Sequence, residues 1–216
     1  MELLSIQRAR SIWLFDTYDL NPRGRDVGSA LIDWLKTAYH FTKFPSSVND
    51  LDDSKALYYS GGHFQSKHGP ISVELRIYND GIVGDTRSST EETDLFLAGL
   101  LATSAKEFGL HYAPHIIRKK LYVSEMTVRC GASLSSVNRK LSDFAGKLAR
   151  MTGAASVPEL TSIGFWQDIV PDPSGSVFRF ERKWGAEFSE NRYYTRAPFP
   201  TSTHLELLQE LEKAIS

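Results

Sequence analysis

Residues 71–83 of the chain read ISVELRIYNDGIV, and this stretch decides the fold. Every second side chain from Ile71 to Ile77 is apolar, which is the pattern of a β-strand with one buried face. The Asn79-Asp80-Gly81 sequence that follows predicts a tight hairpin turn, because Asn and Gly tolerate a positive φ. A second strand, from Ile82 to Arg87, then returns beside the first. The stretch therefore predicts an antiparallel sheet.

Helical signals lie on both sides of this hairpin. Before it, apolar residues from Val27 to Ala38 recur at helical spacing behind Asp26, which can cap the helix. After it, Ser89 and Glu92 form a capping box for a helix that Gly109 closes. Two more strands complete this half, at residues 11–18 and 56–65. The resulting order is β-α-β-β-β-α, and the predicted fold class is α+β.

The second half of the chain repeats that order. Strands are predicted at residues 116–130, 160–169, 177–182 and 188–195. One helix is predicted from Ser133 to Gly153, and another begins where Thr203 and Glu206 form a capping box. We predict two similar β-α-β-β-β-α units, residues 1–112 and 113–216, packed as one compact body. Each antiparallel meander is covered by helices, and a pseudo-two-fold relates the units. Two α+β stretches that resemble each other by chance are the alternative.

Composition limits the class of protein. Of the 216 residues, 41% are hydrophobic and 24% are charged, so the chain can bury a packed core. The single cysteine, Cys130, excludes an intramolecular disulfide and a zinc site built on thiolates. The first residues lack the pattern of a signal peptide, and no stretch approaches the roughly 20 apolar residues of a membrane span. We expect a cytoplasmic protein without a membrane partner.

Charge is unevenly distributed along the chain. Residues 44–95 contain four basic and nine acidic side chains, whereas residues 118–150 contain eight basic and two acidic ones. Solvated faces are the simplest explanation of both segments. Nucleic-acid binding by the basic segment is the alternative, because Lys and Arg side chains neutralise phosphates.

No set of residues indicates a catalytic site. His111 and His115 have the spacing of a helical metal pair, but Pro114 between them disfavours a helix. Asp172 and Glu181 imitate a nuclease pattern, but about nine residues of strand would hold the two carboxylates roughly 30 Å apart. We therefore predict no catalytic residues, no metal site, no cofactor and no enzymatic activity.

Acidic and aromatic residues occur together in corresponding hairpins and loops of the two halves. Asp80 and Asp85 flank the first hairpin tip, and we expect both to be exposed, with Arg87 as the one nearby base. Such residues suit binding to a basic protein surface, although tryptophans can equally belong to the core. The predicted partner-binding residues are Asp80, Asp85, Arg87, Trp166, Asp168, Asp172, Trp184, Glu187 and Glu190.

In these respects the chain resembles the immunity proteins of bacterial polymorphic toxin systems. The likeness is one of general character over most of the chain: a small α+β protein with acidic and aromatic loops and no catalytic motif. It implies a non-enzymatic protein that binds and blocks a cognate toxin, for example a nuclease with a basic cleft. A homo-oligomer is compatible with this interpretation, and nucleic acid is not an expected partner. The alternative is a nucleic-acid-associated or anti-phage component that uses residues 118–150.

Overall fold

The computed structural model describes residues 1–46, 56–134, 137, 139–166 and 176–216. The first series of elements is β1 (Glu2–Leu14), α1 (Thr17–Leu20), α2 (Gly28–Ala38), β2 (Leu57–Ser66), β3 (Gly69–Tyr78), β4 (Gly81–Thr86) and α3 (Thr90–Phe108). The second series is β5 (Lys119–Arg129), α4 (Arg139–Thr152), β6 (Ser162–Trp166), β7 (Ser176–Arg182), β8 (Arg192–Ala197) and α5 (Thr201–Ile215). Helices and strands are mixed and the paired strands are antiparallel, so the predicted α+β class is confirmed.

The chain forms two compact units, which we name by one residue of each. The Asp85 unit contains residues 8–124 and 199–201, and the Trp184 unit contains residues 1–7, 125–198 and 202–216. The strand order is β2-β3-β4-β1-β5 in the Asp85 unit and β1-β5-β8-β7-β6 in the Trp184 unit. Strands β1 and β5 each contribute residues to both units. The predicted units, residues 1–112 and 113–216, were defined by the repeated order of elements and not by compactness. That division therefore stays a prediction.

The hairpin that decides the fold forms as expected. Ile77 pairs with Ile82 and Tyr78 with Gly81, so the turn falls at Asn79 and Asp80. Gly81 has a φ of +154°, a conformation that favours glycine. Local turn chemistry and side-chain alternation therefore agree at this position.

Ser89 and Gly109 cap α3 at its two ends as predicted, and Glu92 takes part in the N-terminal cap through its N–H. The Ser89 hydroxyl accepts a hydrogen bond from the Glu92 N–H at 3.2 Å, and Gly109 ends the helix with a φ of +63°. Two other predicted caps are wrong. Helix α2 has Val27 at its N-cap with no side-chain hydrogen bond, so Asp26 does not cap it. Helix α5 begins at Thr201, before the capping box expected at Thr203.

Thr201 instead caps reciprocally with Thr90, the first residue of α3. The Thr90 N–H donates to the Thr201 hydroxyl at 3.0 Å, and the Thr201 N–H donates to the Thr90 hydroxyl at 2.7 Å. Each threonine thus satisfies an N–H that a helix start leaves without an intrahelical partner. Because these residues are 111 positions apart, a local sequence pattern could not indicate the arrangement.

In the Asp85 unit, α3 packs on one face of the sheet. Phe96, Leu97 and Leu100 of α3 are buried in one cluster with Trp13 and Leu75 of the strands. Strand β1 begins at Glu2 instead of the predicted residue 11. The alternation that identifies a strand is weak in residues 2–10.

Among the described helices, none is long and apolar enough to cross a membrane.

In the Trp184 unit, α5 buries His204 against the sheet. This side chain is fully buried, its Nε2 shares a 2.8 Å hydrogen bond with the Thr195 hydroxyl, and its ring meets the edge of Phe178. Burial lowers the pKa of His204 from 6.5 to about 4, because the charged imidazolium loses its hydration. The folded protein therefore holds this histidine neutral over a range where the unfolded chain protonates it.

Stability is expected to fall as the pH drops from about 6.5 toward about 4, because the unfolded chain binds a proton there that the folded protein does not. At about pH 4.5, two pH units below the unfolded pKa, the free energy of unfolding should be lower by about 2.5 kcal/mol, because each unit costs ~1.4 kcal/mol until the folded pKa is approached. Urea unfolding of the wild type and of His204→Gln at about pH 7 and about pH 4.5 measures it. The variant should lose less stability than the wild type, and equal losses would contradict the assignment.

Candidate protein-binding surface

The connection between β7 and β8 presents the most exposed aromatic side chain among the described residues. Trp184, directly before Gly185 with its φ of +79°, is 96% exposed. A one-turn 3₁₀ helix follows, in which Phe188 is also exposed. A tryptophan side chain has more apolar surface than most other side chains. An exposed tryptophan can therefore bury a large apolar area when a partner protein binds.

Arg182, the last residue of β7, holds this connection in place. Its side chain is 7% exposed, and its guanidinium lies over the rings of Phe188 and Tyr193, with both centroids at 4.8 Å. It donates a 2.7 Å hydrogen bond to the Phe188 carbonyl and another to the Asn191 side chain. Cation–π contacts and charge-assisted hydrogen bonds both order the backbone around Trp184.

The same guanidinium also reaches residues on both sides of α4. It donates to the Ser133 hydroxyl at 3.0 Å before the helix and to the Glu159 carboxylate at 2.7 Å after it. Next to it, the Tyr193 hydroxyl accepts a hydrogen bond from the Leu134 N–H. Arg182 therefore links the β7–β8 connection, which carries Trp184, to the segments before and after α4. We call this set of contacts the Arg182 hub.

One carboxylate beside Trp184 carries no neutralising ion pair within the described part of the chain. Glu187 is exposed, and its side chain accepts a hydrogen bond from Ser189. Glu190, in contrast, pairs with Arg192 at 2.7 Å and is half-buried. We define the Trp184 surface as Trp184, Glu187 and Phe188. It combines two exposed aromatic rings with one negative charge.

Trp166 does not belong to this surface. It is 64% exposed and stands at the end of β6, where it pairs with Ser176 at the start of β7. Trp184 follows the opposite end of β7, so about 20 Å of strand separates the two positions. The predicted site residues Asp168 and Asp172 lie outside the described residues.

The acidic hairpin of the Asp85 unit differs from its prediction. Asp80 is exposed at the turn, as expected, and Arg87 is exposed as well. The expectation that Asp85 is exposed is wrong, because this residue is only 8% exposed. Its carboxylate receives Arg10 Nε at 2.7 Å and Arg10 Nη2 at 2.9 Å, and Arg76 Nη1 at 2.6 Å. Two arginines from neighbouring strands neutralise Asp85, and Arg87 is not its partner.

Helix α4 leaves an apolar groove that the sequence did not indicate. Its apolar stripe reads as a core-facing pattern, and yet Leu141, Phe144 and Leu148 are exposed. With residues 157–160 they line an open groove of about 410 Å³ in the Trp184 unit. An exposed apolar face of this kind is typical of an interaction surface.

Three basic side chains of the 118–150 segment form ion pairs with acidic residues. Arg118 pairs with Asp19 at 3.0 Å, and Arg129 with Glu2 at 2.8 Å. Lys120 lies over the Trp13 ring and is 3.4 Å from the Asp94 carboxylate. These ion pairs reduce the charge that the segment can offer to phosphates.

The histidines, cysteine and acidic residues do not assemble into a metal-binding cluster in the described ranges. No group of three or more such side chains is close enough there to hold a metal ion. Cys130, directly after β5, is buried, as is usual for a cysteine that packs as a small apolar side chain.

Neither a protein-family model nor a curated protein matches the chain. Among solved structures, it is similar to the TBP of Methanococcus jannaschii, with 12% sequence identity and a TM-score of 0.43. That match covers 99% of this chain and 97% of the other. That match transfers neither residues nor function to this chain.

Proposed function

We propose that this chain is a non-enzymatic protein-binding protein that contacts its partner through the Trp184 surface. In its finer form, the proposal is an immunity protein that binds and blocks a cognate toxin. The coarser form, binding to a protein, stands independently of whether the partner is a toxin.

The exposure of Trp184 carries the proposal. Tryptophan is one of the residue types that most often dominate a binding interface, and such residues sit near the centre of the contact. The Arg182 hub orders the backbone on both sides of Trp184 before any partner binds. An ordered anchor lowers the entropy cost of association, which favours binding over a flexible loop of the same composition.

The chemistry of the surface favours a basic partner. Glu187 supplies a negative charge beside two aromatic faces, and arginine or lysine side chains interact favourably with both. A toxin whose active site binds nucleic acid presents such cations. The acidic contribution comes from Glu187 in place of Asp85, whose charge is already neutralised within its own unit.

We also infer that the two series of elements arose by duplication and are related by a pseudo-two-fold. The β-α-β-β-β-α order recurs, and in each series the fourth strand lies next to the first. The reciprocal caps of Thr90 and Thr201 support this inference, because both residues open the last helix of their series.

Trp184→Ala is expected to weaken partner binding by about 2 kcal/mol or more, about 30-fold, because the change removes the anchor side chain. Proteins captured from cells that naturally make the chain identify a partner, and titration of that purified partner measures the affinity. Glu187→Lys should weaken the same complex and make the remaining affinity less sensitive to salt.

Tyr18→Ala is the matched control, because Tyr18 is 78% exposed and belongs to the Asp85 unit. This variant should bind like the wild type. All three variants should melt at the wild-type temperature, since exposed substitutions usually change stability by less than ~0.5 kcal/mol. A partner that binds the wild type and Trp184→Ala equally would rule out the Trp184 surface.

A further inference from the structure

A second feature, in the Asp85 unit, shares no residue with the Trp184 surface. A cavity of about 480 Å³ opens among α2, α3 and the strands. Its inner wall includes the buried apolar residues Phe15, Leu35, Ile82, Leu100 and Leu101. Protein interiors leave few voids larger than a water molecule, whereas small-molecule sites measure roughly 300–1,000 Å³.

Helix α2 covers this cavity loosely. The structure describes every residue of α2, and of these Leu35 alone is buried. Leu31, one turn earlier, lines the cavity and remains half-buried. A helix that covers a packed core usually buries a wider stripe of side chains. Part of the apolar face of α2 therefore lines the cavity and contacts no other side chain closely enough to be buried.

One polar group in the cavity wall is buried without a partner. Ser104 of α3 is 4% exposed, and its hydroxyl makes no hydrogen bond within the described part of the chain. Leaving a buried hydroxyl unsatisfied costs about 1–3 kcal/mol, so such groups are uncommon and call for an explanation. A ligand that accepts a hydrogen bond from Ser104 would remove this cost.

A cation lies at the same end of the cavity. Arg25 Nη1 is 2.6 Å from the point where a Cβ would stand on Gly109, so its guanidinium rests against the C-terminus of α3. Five residues of helix separate Ser104 from Gly109, a rise of roughly 7.5 Å. The Arg25 backbone is fixed by two hydrogen bonds with the Asn21 side chain, at 2.8 and 3.1 Å. In the described residues its guanidinium has no ion pair.

The polar end continues into an adjoining space of about 320 Å³. This space shares Asn21 and Arg25 with the cavity and adds Arg23 and His111. The combined site is thus apolar between α2 and α3 and carries hydrogen-bond donors and positive charge at one end. That distribution matches a molecule with an apolar chain and an anionic head.

We propose that the Asp85 unit binds a small amphipathic carboxylate, with its apolar chain between α2 and α3 and its carboxylate at Ser104 and Arg25. Bonds to Ser104 and Arg25 would fix the head, and each buried methylene of the chain would add to the affinity. The proposal does not depend on the function of the Trp184 surface.

Calorimetric titration of the full chain with decanoate tests this proposal, with decanol and butyrate as partial ligands. Decanoate should bind with one-to-one stoichiometry and raise the melting temperature. Decanol lacks the charge and butyrate lacks the chain, so each should bind at least 10-fold more weakly. Absence of saturable decanoate binding would overturn the proposal.

Variants locate the site. Arg25→Gln should weaken decanoate binding about 10-fold and leave decanol binding unchanged, whereas Arg87→Gln, an exposed arginine outside the cavity, should bind like the wild type. Leu31→Trp should fill the apolar chamber and abolish binding of both ligands. If Leu31→Trp lowers the melting temperature, Val27→Phe tests the same chamber from an edge position. Decanoate affinity equal to wild type in both Arg25→Gln and a folded filling variant would show adsorption elsewhere and exclude this site.

Discussion

Asp85→Lys is expected to lower the free energy of unfolding by about 3–5 kcal/mol. The Asp85 carboxylate is largely buried between Arg10 and Arg76, with three hydrogen bonds of 2.6–2.9 Å. A lysine in its place would bring a third positive charge against two that are half-buried. Removing one partner of a buried ion pair is costly because the remaining charge is left uncompensated.

Asp80→Lys is the matched control, because Asp80 belongs to the same hairpin and is exposed at its tip. Its effect on stability should stay within ~0.5 kcal/mol. Urea unfolding of both variants beside the wild type measures the difference, and Asp85→Asn offers a milder change if Asp85→Lys does not fold. Equal stability of Asp80→Lys and Asp85→Lys would contradict the ionic role of Asp85.

Arg182→Met is expected to destabilise the protein by about 3 kcal/mol and to weaken binding through the Trp184 surface. The change removes the donor to the Phe188 carbonyl, Ser133 and Glu159, and hydrogen bonds to charged groups contribute about 1.5–3 kcal/mol each. Because Glu159 is partly exposed, water can donate hydrogen bonds to its carboxylate in place of Arg182, which reduces the loss of stability. The connection around Trp184 would then be ordered only when a partner binds.

Arg179→Met on the same strand is the control for Arg182→Met. Arg179 is mostly exposed and pairs with Glu181 at 3.2 Å, an arrangement that contributes about 0–1 kcal/mol. Thermal unfolding and hydrogen exchange of residues 183–191 compare the two variants. Exchange in this connection should become faster in Arg182→Met alone. Unchanged exchange in that variant would show that Arg182 does not order the connection.

The parts of the fold that sequence predicts are those with local signals. The turn at Asn79 and Asp80 and the caps Ser89 and Gly109 depend on neighbours within a few residues, and all of them form. The environment of Asp85 depends on Arg10, which is 75 residues away in the chain. No local pattern shows that this arginine lies on the adjacent strand, so the exposure of Asp85 was predicted incorrectly.

Amphipathic spacing likewise predicts a helix without saying what its apolar face meets. The stripe that includes Phe144 was expected to cover the second meander, but Phe144 stays exposed. Trp184 presents the opposite difficulty, since a tryptophan suits a core and an interface equally well. Only the three-dimensional arrangement around Arg182 shows that Trp184 lies outside the core.

The interleaving of the two units has a consequence for how the chain matures during synthesis. Nearly all of the Asp85 unit comes from residues 8–124, whereas the Trp184 unit joins residues 1–7 to segments made more than a hundred residues later. Domains generally fold as units while the chain emerges, and contacts between distant segments form slowly. We therefore expect the Asp85 unit to fold first, and residues 1–7 to pair within the Trp184 unit only after residues 125–198 have been made. A protein that recognises Trp184 in its ordered connection would then bind only after the Trp184 unit has folded.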